Sequence, residues 1–212
     1  MFPVPCLMLV TGRSLCGGAD GLAAAVEAAV GGGVDAVQLR EKDLTPDELL
    51  PLAGRLREIT LGRALLLVNG PLDVALAAAA DGLHLPEAAP PVERPRPGFL
   101  VGRSVHSVEG ARRAEAEGAD YLIAGPVYQT RSHPNARPTG VSLIEEITSR
   151  MPIPVLAIGG LTAGRADEVV CAGASGIAVI SAILTKGDRR AAVGQLRSAL
   201  ESAWAAAGAA RR

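Results

Sequence analysis

Aromatic side chains are scarce: of 212 residues, only five are Trp, Tyr or Phe. That is too few for the base-stacking platforms that hold single-stranded nucleic acid. An excess of one charge is also missing. Lys and Arg number 21 against 22 Asp and Glu, a formal net charge of -1, which supplies no basic footprint for nucleic acid. The three cysteines, Cys6, Cys16 and Cys171, are odd in number, widely spaced and without a CxxC pair. They fit a reducing compartment and argue against a disulfide framework or a thiolate zinc site. Cys171, placed in a helical segment, reads as a small core residue. Long apolar runs are absent too, and no stretch approaches the twenty residues of a membrane span. The opening MFPVPCLMLV lacks a basic leader and is interrupted by Pro3 and Pro5. It reads as a buried first strand rather than a signal peptide, and a cytoplasmic address is expected.

What is present is a regular alternation. Short apolar runs recur at 6–10, 36–40, 64–68, 82–85, 99–105, 121–127, 154–160 and 176–183. Most are too continuous for half-solvated strands and match parallel strands covered on their faces. Between most of them lie Ala-rich segments with helical spacing, at 21–30, 45–58, 108–117, 142–150 and 164–172. Thr45-Pro46 places an N-cap hydroxyl before a proline at the first helical position. Small-residue turns such as Val34-Asp35-Ala36, Ala80-Asp81-Gly82 and Gly118-Ala119-Asp120 feed the next strand. Eight strands, most followed by a helix, give the count of a (β/α)₈ TIM barrel, an α/β fold, in one domain covering 1–212. A doubly wound open sheet is the alternative, but no GxGxxG follows the first strand. The segment 86–97, with five prolines, is expected to be a loop with at most one short turn.

In such a barrel the working residues sit at the C-terminal ends of the strands. Gln38, Arg40 and Lys42 alternate after the second strand and share one face. Two cations and an amide suit an anionic substrate, whereas a solvated rim with Glu41 paired to a neighbour is the plainer reading. Asn69 follows the third strand in a turn that already explains it. Ser104 and His106 share a face of the fifth strand, either satisfied by local backbone or lining a site. After the sixth strand come Thr130, Arg131, Ser132 and His133, where the 131–140 loop could act as a lid or be plain surface. Gly159-Gly160 after the seventh strand and Ile180-Ser181 after the eighth have the makings of a phosphate cup. His84 reads as a hydrogen-bonded core histidine. There is no HExxH, HxH or GxSxG pattern.

Taken in order, QLREK at 38–42, VALAAAADGLHL, GRSVHS at 102–107, GADYLIAGPVYQT at 118–130, PVLAIGG and GIAVISAI resemble the thiamine phosphate synthase family and its relative, the TenI-type thiazole tautomerase. The resemblance spans nearly the whole chain and implies a (β/α)₈ barrel that binds a thiazole phosphate. In the synthase, that thiazole displaces pyrophosphate from hydroxymethylpyrimidine diphosphate, with Mg²⁺ and cationic side chains on the departing group. Carried over by motif, Gln38, Arg40, Lys42, Asn69, Ser104, Thr130 and Ser132 line the pyrimidine and pyrophosphate end. Gly159, Gly160, Ile180 and Ser181 hold the thiazole phosphate.

Three departures point to the tautomerase branch. The synthase pattern has Asn-Asp after the third strand and a Gly-Gln-acidic run after the fourth, where this chain has Asn69-Gly70 and Leu85-Pro86-Glu87-Ala88-Ala89. The metal-holding carboxylates are thus reduced to Glu87, and a synthase lysine position carries His133. The expectation is therefore a thiazole tautomerase without a cofactor, His133 or His106 moving the proton and Arg40 and Lys42 assisting. The alternatives are a Mg²⁺-dependent synthase and a non-catalytic phosphate-ligand binder. Expected partners are a thiazole phosphate-type small molecule, with no nucleic acid and no membrane; a homodimer is left open.

Overall fold

The computed structural model describes residues 2–130 and 137–210. Eight parallel strands close into a barrel in chain order: β1 (Cys6–Val10), β2 (Ala36–Leu39), β3 (Leu65–Val68), β4 (Gly82–Leu85), β5 (Leu100–Val105), β6 (Tyr121–Ala124), β7 (Val155–Ile158) and β8 (Gly176–Val179). β1 pairs with β2 on one side (Leu9 opposite Val37) and with β8 on the other (Leu7 opposite Ile177), so the sheet has no edge. The helices are α1 (Ala19–Gly32), α2 (Pro46–Thr60), α3 (Leu72–Ala77), α4 (Val108–Ala116), α5 (Gly140–Thr148), α6 (Ala166–Cys171), α7 (Ser181–Leu184) and α8 (Arg189–Ala210).

The unbroken apolarity of the strands has a direct cause: both of their faces are covered. Leu7, Leu9, Val37, Leu39, Leu66 and Val68 face the surrounding helices in one large core. Their alternates Cys6, Met8, Val10, Ala36, Leu67, Ile123, Leu156 and Ala178 fill the barrel interior. Phe2 stacks on Tyr121 inside the barrel, ring centroids 4.3 Å apart. Gly102 lies beside that ring, and a Cβ there would fall 2.0 Å from Tyr121 Cζ.

The aspartate turns do more than turn the chain. Asp35, just before β2, accepts a hydrogen bond from the Leu7 amide of β1 at 2.7 Å. Asp81, before β4, accepts from Leu66 of β3 at 2.8 Å, and Asp120, before β6, accepts from Val101 of β5 at 2.7 Å. Arginines pair with all three: Arg197, Arg57 and Arg94. β2, β4 and β6 are each thereby pinned to the strand before them.

The crossover from β4 to β5 carries no helix, as the prolines of 86–97 require. Arginines hold it instead. The Arg103 guanidinium, 2% exposed, reaches the carbonyls of Pro86, Glu87, Ala89 and Pro90 and lies 2.9 Å from the Glu117 carboxylate. Arg94 and Arg96 donate to Phe99, Gly118 and Ala80 carbonyls. The apolar run 176–183 divides where the placement of Ile180-Ser181 after the eighth strand implies, because β8 ends at Val179 and Ser181 starts α7. One sequence expectation needs correction. Cys171, at the end of α6, is exposed rather than in the core.

Candidate active site

A cavity of about 560 Å³ opens at the C-terminal ends of the strands. Gln38, Arg40, Lys42, Asn69, Ser104, His106, Thr130, Gly159, Gly160, Ile180 and Ser181 all line it. His133 and Ser132, expected beside them, lie outside the described residues, as does 131–136 of the proposed lid.

The β2 end is built by alternation. Gln38 is buried in the strand with its amide nitrogen 3.9 Å from Met8 Sδ. Arg40 and Lys42 follow two and four residues on, beyond the strand end. Their backbone is fixed by Thr11, whose hydroxyl accepts from the Arg40 amide at 2.8 Å. Glu41 turns away and accepts from the Arg13 amide at 3.1 Å, which bears out its pairing to a neighbour. The Arg40 charge, and then partial burial, lowers the Lys42 pKa below its ordinary value. A bound anion reverses the first of these effects.

On the opposite arc, Ser104 and His106 both face the cavity. His106 Nδ1 lies 2.5 Å from the Gly125 carbonyl. That contact requires a proton on Nδ1, so the neutral ring presents Nε2 as an acceptor. Capping of α4 falls to Ser107, which accepts from the Gly110 amide at 3.0 Å. His84 is more than a core residue: it is buried, hydrogen-bonded and part of the cavity lining. Burial, with Arg40 and Arg103 adding to it, holds its pKa down to about 3, so it is neutral. Asn69 Nδ2 donates to the His84 carbonyl at 3.0 Å, leaving its amide oxygen for the cavity.

The glycine turn after β7 is required by geometry. Gly159 has φ +104° and Gly160 +64°, where side chains are disfavoured. A Cβ would lie 2.7 Å from Pro126 in the first case and 2.6 Å from the Gln129 carbonyl in the second. Arg165 donates to the Gly160 carbonyl at 2.7 Å while lying 4.2 Å from the centre of the Tyr128 ring. Ile180 and Ser181 begin α7, whose first amides have no intrahelical acceptor. Such amides and a glycine turn suit phosphate oxygens.

The sequence did not single out Arg137 or Thr139, which also line the cavity. Their position in the loop after β6 was the available signal, since sites in this fold are built from the loops that follow the strands. Among the described residues, no three His, Cys, Asp or Glu side chains gather as a metal cage. Among the described residues, Glu87 is the one acidic residue on the cavity lining. Magnesium commonly keeps several waters and takes one or two carboxylates with substrate phosphates. Glu87 and the Asn69 amide oxygen both belong to the cavity lining and suit that sparing mode chemically, not an all-protein cage. No helix among the described residues is long and apolar enough to cross a membrane.

Comparison with known proteins agrees with this architecture. Residues 7–183 match the family model described as thiamine monophosphate synthase. A thiamine-phosphate synthase of Methanoculleus marisnigri is 46% identical over 183 residues, covering 84% of this chain and 87% of that protein. A putative thiamine-phosphate synthase 2 of Aquifex aeolicus is 48% identical over 156 residues, covering 72% and 84%. The solved thiamine phosphate pyrophosphorylase from Pyrococcus furiosus superposes with a TM-score of 0.81 at 37% identity, covering 93% of this chain and 96% of that one. A 3-hexulose-6-phosphate synthase, at 19% identity and TM-score 0.68, shares the fold alone. The chain belongs to the thiamine monophosphate synthase family of enzymes.

Proposed function

We propose that the chain is a thiamine phosphate synthase, joining hydroxymethylpyrimidine diphosphate to a thiazole phosphate and releasing pyrophosphate. One observation carries this reading. A single cavity brings together Arg40 and Lys42 beyond β2 and the Gly159–Gly160 turn with Ile180–Ser181 beyond β7 and β8, two sectors suited to anions. A reaction between two phosphorylated heterocycles needs both. The synthase names of the relatives at 46% and 48% identity support it as well, reversing the order in which the sequence reading ranked tautomerase and synthase.

In this reading the thiazole nitrogen bonds to the pyrimidine methylene carbon as the carbon–oxygen bond to pyrophosphate breaks. The bonding electrons leave with the pyrophosphate oxygen, and no proton need move. Arg40 and Lys42 face that developing charge, where fixed cations act most strongly. Gln38 and Ser104 orient the pyrimidine, and Thr130 extends the pyrophosphate site. Val10, Ile123 and Ile158 make the intervening wall apolar and exclude water from the reacting carbon. Magnesium, when bound, adds positive charge at the pyrophosphate, and Glu87 and Asn69 are the residues that would hold it.

The test is thiamine phosphate formation from the two substrates, measured by oxidation to a fluorescent thiochrome, with magnesium and with excess chelator. Magnesium-dependent product is expected. A second reading, the thiazole tautomerase, is favoured by His106, whose Nε2 is set up as a proton acceptor on the cavity lining. No thiamine phosphate under any metal condition, together with isomerisation of the thiazole carboxylate phosphate that His106→Ala abolishes, would replace the first reading with the second.

A further inference from the structure

Three side chains form a hydrogen-bonded line from the barrel interior to the cavity. Tyr121 Oη lies 3.0 Å from His84 Nδ1, and His84 Nε2 lies 2.9 Å from Ser104 Oγ. Tyr121 and His84 are buried at 0% and 1% exposure, whereas Ser104 is half-buried on the cavity wall. The three come from β6, β4 and β5, which are neighbours in the barrel.

The direction of these bonds follows from counting protons. Among the described residues, His84 Nδ1 is the one hydrogen-bond partner of the Tyr121 hydroxyl. If Nδ1 carried the imidazole proton, the phenol proton would be buried with no acceptor. Leaving a buried donor unsatisfied costs more than leaving a lone pair unused. The phenol therefore donates to Nδ1, the imidazole proton sits on Nε2, and Nε2–H donates to Ser104 Oγ. Neither ring escapes this arrangement by ionising. Burial raises the Tyr121 pKa well above its ordinary value and holds that of His84 far below. The Ser104 hydroxyl now accepts from the protein side and has no protein acceptor among the described residues, so its proton points into the cavity.

We propose that Tyr121, acting through His84, fixes the Ser104 hydroxyl as a hydrogen-bond donor into the cavity, so that this point of the site recognises an acceptor atom of the ligand. Tyr121 and His84 are positioning residues, and Ser104 makes the contact. The acceptor is a pyrimidine ring nitrogen or a pyrophosphate oxygen; that choice of ligand rests on the synthase reading, whereas the bond direction does not. Without the tyrosine, Nδ1 has no partner among the described residues in either tautomer, so the gap between the two narrows. Ser104 can then turn its proton back to His84 and offer the ligand only lone pairs.

The experiment has two arms. Nitrogen-15 NMR of the ligand-free protein reads the His84 tautomer, and Nε2–H is expected. Finding Nδ1–H overturns the proposal, whatever reaction the protein catalyses. Tyr121→Phe keeps the ring that stacks on Phe2 and is expected to shift the tautomer signature. In the second arm, titration calorimetry measures uncharged hydroxymethylpyrimidine and inorganic pyrophosphate separately. Tyr121→Phe should weaken one of these probes by about threefold to tenfold and leave the other unchanged. The affected probe carries the acceptor. In a Ser104→Ala background the same substitution should have no further effect, and an equal loss there would show a merely structural tyrosine. If neither probe binds the unaltered protein, the synthase reading fails, while the NMR result still judges the relay.

Discussion

Replacing Gly159 with alanine puts the phosphate cup under a defined stress. At φ +104° the backbone is one that side chains disfavour, and the added Cβ would lie 2.7 Å from both Cα and Cβ of Pro126 and 3.1 Å from the Val127 nitrogen. These neighbours are backbone and a proline ring, not the tip of a flexible side chain. A left-handed conformation costs about 1–2 kcal/mol, and overpacking adds roughly 1–3 kcal/mol. If the fold absorbs both, stability falls by about 2–5 kcal/mol, which lowers the melting temperature by roughly 4–20 °C in a protein of this size. If instead 126–129 moves away, the Val127–Ile158 and Tyr128–Gly159 hydrogen bonds of 2.8 and 3.1 Å break, and the cavity wall goes with them. Thermal unfolding with calorimetric titration of inorganic phosphate covers both routes. Gly164→Ala is the control, because its φ is ordinary and nothing lies within 4 Å of its Cβ; it should be neutral or slightly stabilising. A Gly159→Ala protein matching that control in both stability and phosphate affinity would refute the assignment of this turn.

Arg40→Gln should weaken pyrophosphate binding by about ten- to a hundredfold, the loss of a charge-assisted contact. It should also raise the pKa of Lys42, because Arg40 is the main cause of its depression; the pH above which anion affinity declines then moves upward, as a pH series of titrations would show. Arg103→Met removes the partner of Glu117 and the anchor of four loop carbonyls, so urea unfolding should show a loss of about 3–5 kcal/mol. His84 contributes nothing to pH dependence above about pH 7.5, where it is neutral folded and unfolded. Below that pH the unfolded chain takes up a proton that the folded chain refuses until about pH 3. Stability therefore falls through this window, and His84→Gln should flatten the acid limb of the unfolding midpoint against pH.

The barrel was legible because covered parallel strands must read as continuous apolar runs, and eight of them stood out. The β2 cluster was legible too, since alternation alone puts Gln38, Arg40 and Lys42 on one face. The same rule applied to GRSVHS places Gly102, Ser104 and His106 inward and Arg103 outward, which is how the structure uses them. Other features depend on partners far away in sequence. Nothing near His84 announces Tyr121, 37 residues later, as its hydrogen-bond partner. The aspartates before β2, β4 and β6 look like turn formers, and the strand amides they hold belong to the preceding βα unit. Cys171 was misplaced because the composition of α6 does not tell which face meets the sheet.

The pairing of β1 with both β2 and β8 has a consequence for synthesis. Translation proceeds at about 5–20 residues per second, so the β8 side of CLMLV waits on the order of ten to thirty seconds for residues 176–179 to be made. During that interval a fully apolar strand has an unpaired edge, the arrangement most open to intermolecular pairing. Local βα units can assemble meanwhile, and the aspartate pins give successive strand pairs a reason to do so early. Closure itself belongs to the last stage, when the C-terminal strand slots in beside the first.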